Sequence, residues 1–207
     1  FDDGIKRLAR VVNVEARQLE LIEELADNVE LPVQVTIASG FPKGDKLEFI
    51  TQKVTELGAS QIWAFPADWS VAKWDGKKLG KKVEKLEKIA LGAAEQSKRN
   101  LVPSITLFEK KVDFLAQLDQ FDRIVVAYEE SAKDGEVAAL IQSLTELEAG
   151  SKLLFIFGPE GGLSPAEIES FEAKGAILAG LGPRILRAET APLYALSAVS
   201  VVTELMN

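Results

Sequence analysis

The hydrophobic pattern of the chain changes near residue 40. Over residues 11–37 apolar and polar positions alternate, most clearly in the segment 33–37. A period of two is typical of half-buried strands. The glycines and the proline of residues 40–44 interrupt this pattern. We therefore predict a small β-rich domain over residues 1–40 and a second domain over residues 41–207.

Helical and strand patterns alternate in the second domain. Apolar residues at helical spacing begin at Leu47, and Gly58 is placed to end that helix. Further helices are predicted over the lysine-rich stretch and over residues 135–144. Short apolar runs predict strands over residues 62–65, 105–108, 124–127, 153–157 and 176–181. This alternation predicts an α/β fold with a parallel sheet flanked by helices, because parallel strands need crossover connections.

The composition excludes several kinds of chemistry. None of the 207 residues is Cys or His. A disulfide framework, a thiolate metal site and a cysteine nucleophile are therefore excluded, and the commonest general base is missing. Chemistry in this chain must use Arg, Lys, carboxylates, hydroxyl groups and backbone dipoles, and we expect no metal.

The net charge of −8 is unfavourable for a general nucleic-acid binder, because binding phosphates requires a basic surface. Positive charge is nevertheless concentrated in one stretch, which contains Lys73, Lys77, Lys78, Lys81, Lys82, Lys85 and Lys88. This stretch is either a phosphate-binding surface or a solvated helix face that pairs with Glu84 and Glu87.

We expect a cytoplasmic protein without a membrane partner. The longest apolar runs, such as residues 195–202, are much shorter than the roughly 20 residues that cross a bilayer. Because the chain begins with Phe1 rather than Met, we also expect the natural protein to extend further upstream.

A glycine-rich segment directly follows the predicted strand 153–157. Its residues 158–162 are Gly-Pro-Glu-Gly-Gly, and Ser164 and Glu167 then match a capping box. The sequence therefore predicts a strand, a glycine loop and a helix. Ligands of open α/β sheets bind at the carboxyl ends of strands, where glycine lets the backbone approach them. A tight turn that only needs glycine conformations is the alternative.

A second polar segment lies between the predicted strand 176–181 and a helix predicted over residues 192–205. Residues 182–191 are Gly-Pro-Arg-Ile-Leu-Arg-Ala-Glu-Thr-Ala. Two arginines, a glutamate and a threonine are costly to order in a loop unless they bind one another or a ligand. The alternatives are therefore a ligand site and a surface ion-pair cluster that caps the last helix.

These two segments closely resemble motifs of the ribosomal RNA small subunit methyltransferase E family in the SPOUT superfamily. Residues 43–46 (Lys-Gly-Asp-Lys), 55–58 (Thr-Glu-Leu-Gly) and 95–99 (Glu-Gln-Ser-Lys-Arg) resemble its other motifs. The resemblance spans residues 41–207 in the family's order. It implies an S-adenosylmethionine-dependent methyltransferase that acts on N3 of a uridine in 16S ribosomal RNA of the small ribosomal subunit.

The resemblance also implies architecture. The expected fold is a SPOUT-type parallel sheet whose C-terminal segment forms a deep trefoil knot, and the expected assembly is a homodimer. Residues 1–40 are expected to be the remnant of a PUA-like RNA-binding domain.

Roles for individual residues follow from the same resemblance. The cofactor is expected to contact three loops, represented by Tyr128 and Glu129, by Gly158, Pro159, Glu160, Gly161 and Gly162, and by Leu181, Gly182, Ile185, Leu186, Thr190 and Ala191. Contacts with RNA are expected from Lys43, Lys46, Lys73 and Arg99. One departure is Trp69, where the family usually has arginine, which leaves the role of that loop open.

The expected mechanism stabilises charge on the acceptor base. The N3 proton of uridine is weakly acidic. A group that donates hydrogen bonds to the uracil carbonyls stabilises the negative charge left when this proton is lost, and so makes N3 nucleophilic. Arg184 or Arg187 is the hypothesised donor, since a guanidinium is always charged and has forked N–H groups. The proton passes to water or to a carboxylate, for which Glu189 and Glu160 are the candidates. Transfer then depends on in-line placement and needs no metal.

Two other classes of function remain as alternatives. A nucleotide- or dinucleotide-dependent enzyme would bind phosphates with the glycine loop, but residues 158–162 lack the Gly-x-Gly-x-x-Gly spacing and a following Lys-Ser/Thr. A non-catalytic RNA-binding ribosome-assembly factor would retain the fold without activity. Tight binding of S-adenosylmethionine would contradict the first alternative and weaken the second.

Overall fold

The computed structural model describes residues 5–26, 28–128 and 137–206. These residues form a two-stranded hairpin and a six-stranded parallel sheet with helices on both faces. The predicted α/β class, with a parallel sheet flanked by helices, is confirmed. No helix within the described ranges is long and apolar enough to cross a membrane.

The hairpin forms a separate sheet near the start of the chain. Strand β1 (Lys6–Asn13) pairs antiparallel with β2 (Gln18–Leu25). All residues of β2 are exposed, and even the apolar Val11 and Leu19 are 59% and 63% exposed. The hairpin therefore contributes little to the buried core of the described residues.

The main sheet has the strand order β5-β4-β3-β7-β6-β8, and all neighbouring strands are parallel. Its strands are β3 (Gln34–Gly40), β4 (Gln61–Phe65), β5 (Ser104–Leu107), β6 (Arg123–Ala127), β7 (Lys152–Phe157) and β8 (Ile177–Ala179). The central β7 has the sequence Lys-Leu-Leu-Phe-Ile-Phe, and all of it except Lys152 is buried. Parallel strands of this kind are apolar because helices cover both faces. All six carboxyl ends lie along one edge.

Six helices connect the strands in the described ranges. They are α1 (Lys46–Glu56), α2 (Gly76–Gln96), α3 (Lys111–Leu115), α4 (Val137–Thr145), α5 (Pro165–Glu172) and α6 (Ala191–Ser200). A short 3₁₀ turn at Leu118–Gln120 and a π-helical turn at Val201–Leu205 complete the set. The predicted helix over residues 135–144 corresponds to α4, and its first two residues lie outside the described ranges.

Each face of the sheet carries its own apolar core. On one face, α1, α4 and α6 pack against β3 and β7, with Ile50, Leu144 and Leu196 in a common cluster with Ile37 and Phe155. On the other face, α3 and α5 contribute Phe114, Ile168 and Phe171 to a cluster with Phe65 and Ile156. Helix α2 covers a third cluster, which contains Phe41, Ala64, Leu79 and Leu86. The sheet edge with the carboxyl ends is thus held rigidly from both sides.

Strand β3 corrects the predicted domain boundary at residue 40. It pairs with β4 and β7 in the centre of the parallel sheet, so the sheet domain begins before Gln34. The alternating pattern that predicts a half-buried strand comes from Gln34, which is exposed, and from Thr36, which is only 2% exposed. Ser39, on the opposite face of the strand, is 1% exposed. Small hydroxyl side chains fit a buried strand when they are bonded locally, and the Ser39 hydroxyl donates to the carbonyl of Gly40.

Candidate active site

A cleft of about 750 Å³ opens at the carboxyl ends of β6 and β7. Three segments form most of its wall: the end of β6, the glycine-rich turn after β7 and the arginine-containing loop after β8. Its lining residues are Lys46, Trp69, Ala127, Tyr128, Phe157, Gly158, Pro159, Glu160, Gly161, Gly162, Leu163, Pro165, Ile185, Leu186, Arg187, Ala188 and Ala191. The two polar segments singled out in the sequence therefore meet in one place.

The glycine-rich turn begins where β7 ends. The N–H of Gly162 donates to the carbonyl of Pro159 at 2.9 Å, and Gly162 has a φ of +77°. A Cβ atom on Gly158 would lie 2.7 Å from the carbonyl carbon of Gly162, so no side chain fits at that position. The turn is closed on itself and presents backbone to the cleft.

A capping box anchors the turn to α5. The Ser164 hydroxyl accepts a hydrogen bond from the N–H of Glu167, and a Glu167 carboxylate oxygen accepts one from the N–H of Ser164. Pro165 occupies the first helical position. The predicted sequence of strand, glycine loop and helix is confirmed in each part.

The loop after β8 forms the opposite wall. Its side chains at the cleft are largely solvent-exposed, with Ile185 at 77% and the Arg187 side chain at 83%. The carbonyl of Arg187 accepts hydrogen bonds from the N–H groups of Thr190 and Ala191, at 2.9 and 3.0 Å. Arg187 therefore has an anchored backbone and a largely exposed guanidinium, whose Nη1 lies 3.9 Å from Oε1 of Glu189.

Lys46 joins these two walls. Its Nζ lies 3.0 Å from Oε1 of Glu160 in the glycine-rich turn and 3.1 Å from Oε2 of Glu189 in the loop after β8. Glu160 also accepts a hydrogen bond from the backbone N–H of Lys43, at 3.0 Å. We call Lys46, Glu160 and Glu189 the lysine bridge. It connects the start of α1 to both walls of the cleft.

The charges of the lysine bridge stabilise one another. Burial opposes ionisation of Glu160, but the Lys46 ammonium and the backbone N–H groups of Glu160 and Lys43 outweigh it and lower its pKa. Burial also opposes ionisation of Glu189, whose pKa is lowered by its own backbone N–H and by Lys46. The two carboxylates in turn raise the pKa of Lys46. All three groups are therefore charged at neutral pH.

A second polar cluster holds the loop after β4 against the glycine-rich turn. The buried Glu167 accepts hydrogen bonds from the backbone N–H of Asp68 at 2.9 Å and from Lys111 at 3.2 Å. Asp68 pairs with Lys111 and accepts a hydrogen bond from the Ser164 hydroxyl at 2.6 Å. Lys111, and then Ser164, lower the pKa of Asp68. This cluster fixes the backbone at Asp68, directly before Trp69.

The cleft collects most of the predicted cofactor residues. Those that line it are Tyr128, Gly158, Pro159, Glu160, Gly161, Gly162, Ile185, Leu186 and Ala191. Leu181, Gly182 and Thr190 belong to the same loop but do not line the cleft, and Leu181 packs against the core instead. Glu129 lies outside the described residues. Of the predicted catalytic residues, Arg187 lines the cleft, Glu189 reaches it through Lys46, and the exposed Arg184 does not line it.

The predicted RNA-binding residues fall into different environments. The side chains of Lys43 and Lys73 are exposed, as phosphate contacts require. Lys46 is occupied by two carboxylates. For Arg99 the structure contradicts the prediction, because its side chain is only 3% exposed. It donates to the Glu30 carboxylate and to the carbonyls of Thr55 and Ala59, and thus holds the chain before β3 against α1 and α2.

Several lining residues were not predicted from the sequence. Phe157, Leu163 and Ala188 flank the predicted motifs and carry no chemical signal of their own. Trp69 stands where the family usually has arginine, and its place in the sequence indicates no role for it. A half-exposed tryptophan beside a glycine-rich turn is visible only once the loop after β4 is placed in space.

The chain matches known RNA methyltransferases over most of its length. A model of the RNA methyltransferase domain family matches residues 29–200, which is most of the chain. The chain is 54% identical over 187 residues to ribosomal RNA small subunit methyltransferase E of Bacillus subtilis (strain 168), covering 90% of this chain and 73% of that relative. It is 33% identical over 211 residues to the protein of the same name from Mycobacterium tuberculosis (strain CDC 1551 / Oshkosh), covering 97% and 77%.

A solved structure has the same fold. The chain superposes with a TM-score of 0.77 on a ribosomal RNA small subunit methyltransferase E from Neisseria gonorrhoeae bound to S-adenosyl methionine. The two are 26% identical, and the match covers 97% of this chain and 80% of that one. The chain belongs to the ribosomal RNA small subunit methyltransferase E family, which confirms the resemblance seen in its motifs.

Proposed function

We propose that this protein transfers a methyl group from S-adenosylmethionine to N3 of a uridine in 16S ribosomal RNA of the small subunit. The observation that carries the proposal is the convergence of the glycine-rich turn and the arginine-containing loop on one cleft. Support comes from relatives named as small subunit ribosomal RNA methyltransferases and from a family member bound to S-adenosyl methionine.

The residues of the cleft fit this cofactor. A volume of about 750 Å³ is within the range of small-molecule sites. Gly158 and Gly161 expose backbone groups for the polar part of the ligand, while Ile185, Leu186 and Ala191 offer apolar contacts for a flat adenine. When bound, S-adenosylmethionine supplies an electrophilic methyl group on its sulfonium sulfur, so the acceptor nitrogen must present an electron pair and give up its proton.

Arg187 is the residue that we propose for charge stabilisation on the acceptor base. Arg187 lines the cleft with a side chain that is 83% exposed and only distantly paired with Glu189, at 3.9 Å, whereas Arg184 lies outside the lining. Forked N–H donors directed at the uracil carbonyls would stabilise the negative charge that develops as N3 loses its proton.

Solvent is the proton acceptor that we propose for N3, because the carboxylates of the site are held by Lys46. Glu160 and Glu189 both have a lowered pKa, and a carboxylate with a lowered pKa is a weaker base. Both are also held by Lys46. We therefore propose that these two carboxylates position the cleft walls, and that the N3 proton leaves to water.

The architectural expectations are part of the same proposal. We propose that the C-terminal segment is knotted, and the support is that α6 returns from the edge strand β8 to pack beside β3 and β7. We also propose that the hairpin belongs to a PUA-like RNA-binding domain, supported by its separate sheet and its exposed apolar side chains. A homodimer that acts in the cytoplasm completes the proposal.

Two measurements test the function. Titration calorimetry with S-adenosylmethionine should show saturable binding to the wild-type protein. Unmethylated small subunits incubated with enzyme and labelled cofactor should gain label, and mapping of the product base should place it on N3 of a uridine. Binding without any transfer to small subunits or naked 16S RNA would indicate an assembly factor instead.

The arginine role has its own test. Arg187→Ala should retain cofactor affinity and lose at least about a hundredfold in kcat, since removing one charge-stabilising donor typically costs that much. Arg184→Ala is the matched control and should keep activity within about twofold. If the two variants exchanged these phenotypes, the assignment of Arg187 would be wrong.

A further inference from the structure

Trp69 is the most exposed of the three tryptophans, and it stands in the wall of the cleft. Its side chain is 49% exposed, whereas Trp63 is 4% exposed and packed among the rings of Phe108 and Phe121. Trp74 is partly buried, with its ring 4.3 Å from the ring of Phe41. Trp69 therefore presents a large apolar ring to a cavity that is open to solvent.

The structure behind Trp69 holds it in place. A Cβ atom on Gly161 would lie 3.1 Å from the Cβ of Trp69, so the tryptophan packs directly on the backbone of the glycine-rich turn. Its neighbours are fixed as well, because the Asp68 N–H donates to Glu167 and the Ser70 N–H donates to the carbonyl of Ala67. A rigid support of this kind keeps an exposed ring in a defined position.

The ring of Trp69 is supported on one side and accessible on the other, so it can stack against a flat aromatic ligand. Exposed tryptophan and arginine groups in nucleic-acid sites bind unstacked bases, with the aromatic ring under the base and the guanidinium at its polar edge. Arg187 lines the same cleft and supplies the second group. The cofactor's adenine is the competing occupant, but the apolar residues that fit it lie in the loop after β8.

We propose that Trp69 stacks against the target nucleobase when single-stranded RNA enters the cleft. The inference rests on the proposed methyltransferase function and adds the residue that positions the acceptor. Stacking is tolerant of base identity. Trp69 thus holds the plane of the base, while hydrogen bonds from other groups discriminate uracil.

Fluorescence of the tryptophans tests this contact without turnover. Single-stranded oligouridylate should quench the emission of the wild-type protein, with or without S-adenosylhomocysteine, and an abasic oligonucleotide of equal length and charge should not. The quenching should disappear in Trp69→Ala and persist in the matched control Trp74→Phe. Quenching of equal size by the abasic oligonucleotide would overturn the proposal.

Steady-state kinetics separate positioning from support of the fold. Trp69→Ala should raise KM for small subunits by about tenfold, as expected for the loss of one base–aromatic stack, with kcat reduced by less than about threefold. Trp69→Phe should restore most of the affinity. Calorimetry should give an unchanged Kd for S-adenosylmethionine.

Two results would refute the role of Trp69. One is an unchanged KM in Trp69→Ala, and the other is a loss of cofactor affinity in that variant, which would make Trp69 a support for the cofactor turn. A wild-type protein that binds no cofactor and methylates nothing would instead refute the proposed function. In that case the quenching experiment on the free protein still decides whether Trp69 binds bases.

Discussion

Gly158 occupies the position in the cleft where a side chain is least tolerated. The site that a Cβ would take is 2.7 Å from the backbone of Gly162, and backbone cannot yield as the end of a flexible side chain can. The closed turn and the direction of its backbone groups depend on the absence of a Cβ atom at Gly158. The proposed cofactor contact is therefore sensitive to a single methyl group.

Gly158→Ala tests this dependence. We expect affinity for S-adenosylmethionine to fall by about tenfold or more, and the free energy of unfolding to fall by about 1–3 kcal/mol, as is typical of overpacking. Gly80→Ala is the control, since nothing lies within 4 Å of the added atom and the position is in helix α2. It should raise stability by about 0.5–1 kcal/mol and leave affinity unchanged. Wild-type affinity in Gly158→Ala would contradict the role of the turn.

At the level of single residues, the sequence indicates which side chains carry charge but not which groups they pair with. Lys46 and Arg99 were both predicted to contact phosphate, because both stand in motifs that resemble those of an RNA-modifying family. In the structure Lys46 holds Glu160 and Glu189, and Arg99 is buried against Glu30. These partners are far away in the sequence, so spacing along the chain carries no information about them.

At the scale of elements, the lysine bridge joins three segments that the sheet only brings near one another. The start of α1, the turn after β7 and the loop before α6 each contribute one charged group. The attraction between partly buried charges is screened less by solvent than the attraction between exposed ones, and part of that gain is offset by the desolvation of Glu160 and Glu189. The bridge sets the distance between the two walls that would hold the cofactor.

Lys46→Met should weaken both the fold and the site. We expect the free energy of unfolding at neutral pH to fall by about 1–2 kcal/mol, between the values for exposed and buried pairs, together with the affinity for S-adenosylmethionine. Lys85→Met is the control, since Lys85 is 61% exposed and pairs only with Glu48 among the described ion pairs. It should change stability by less than about 1 kcal/mol. Equal losses in the two variants would argue against a special role for the bridge.

The loss of stability in Lys46→Met should depend on pH in one direction. Because the folded pKa values of Glu160 and Glu189 lie below the ordinary 4.5, their stabilisation is fully present above about pH 4.5 and is lost as the pH falls through the lowered values. The stability difference between wild type and Lys46→Met should therefore shrink in acid. Denaturant unfolding between about pH 3 and pH 7 measures it, and a constant difference would contradict the lowered pKa values.

Elements with strong patterns were predicted well. The apolar run of β7 and the capping box of α5 have local causes, since burial on both faces and backbone capping act within a few residues. The sequence pattern assigns β3 to the wrong domain because Gln34 and Thr36 mimic the polar face of an exposed strand. Local pattern cannot distinguish a solvent-facing hydroxyl from one that is buried and bonded.

At the scale of the whole molecule, the order of strands was beyond prediction from this sequence. The sheet inserts β7 between β3 and β6, so strands that are adjacent in space are often not consecutive in the chain. Alternating helices and strands predict a parallel sheet but leave its order open. The cleft could be expected at the carboxyl ends of strands, yet which loops meet there depends on that order.

The distribution of charge is also a property of the whole molecule. With a net charge of −8, RNA must approach through a local basic surface. Helix α2 provides exposed lysines at 77, 78, 81, 85 and 88. Among the described ion pairs, Lys85 joins Glu48 of α1 and not Glu84 or Glu87 of its own helix, so the phosphate-binding and solvated-face alternatives both remain to be tested.

Salt dependence of RNA binding measures this surface. Lys77→Gln/Lys81→Gln should reduce the slope of log Kd against log salt by about one unit or slightly more, since each contact with single-stranded phosphate contributes about 0.7. Lys152→Gln/Lys174→Gln removes the same charge from other surfaces, Lys152 being at the amino end of β7. This control should leave the slope unchanged. Identical slopes in all three proteins would support the solvated-face alternative.

The lysine bridge has a consequence for biosynthesis. Lys46 leaves the ribosome early, whereas Glu189 follows only after every strand of the sheet has been translated. A nascent chain that ends before this glutamate has the glycine-rich turn but only one wall of the cleft. The complete cleft therefore forms only after the loop before α6 has been synthesised and Glu189 has paired with Lys46. From that point S-adenosylmethionine can bind and stabilise the folded chain, because a ligand that binds only the folded state stabilises it.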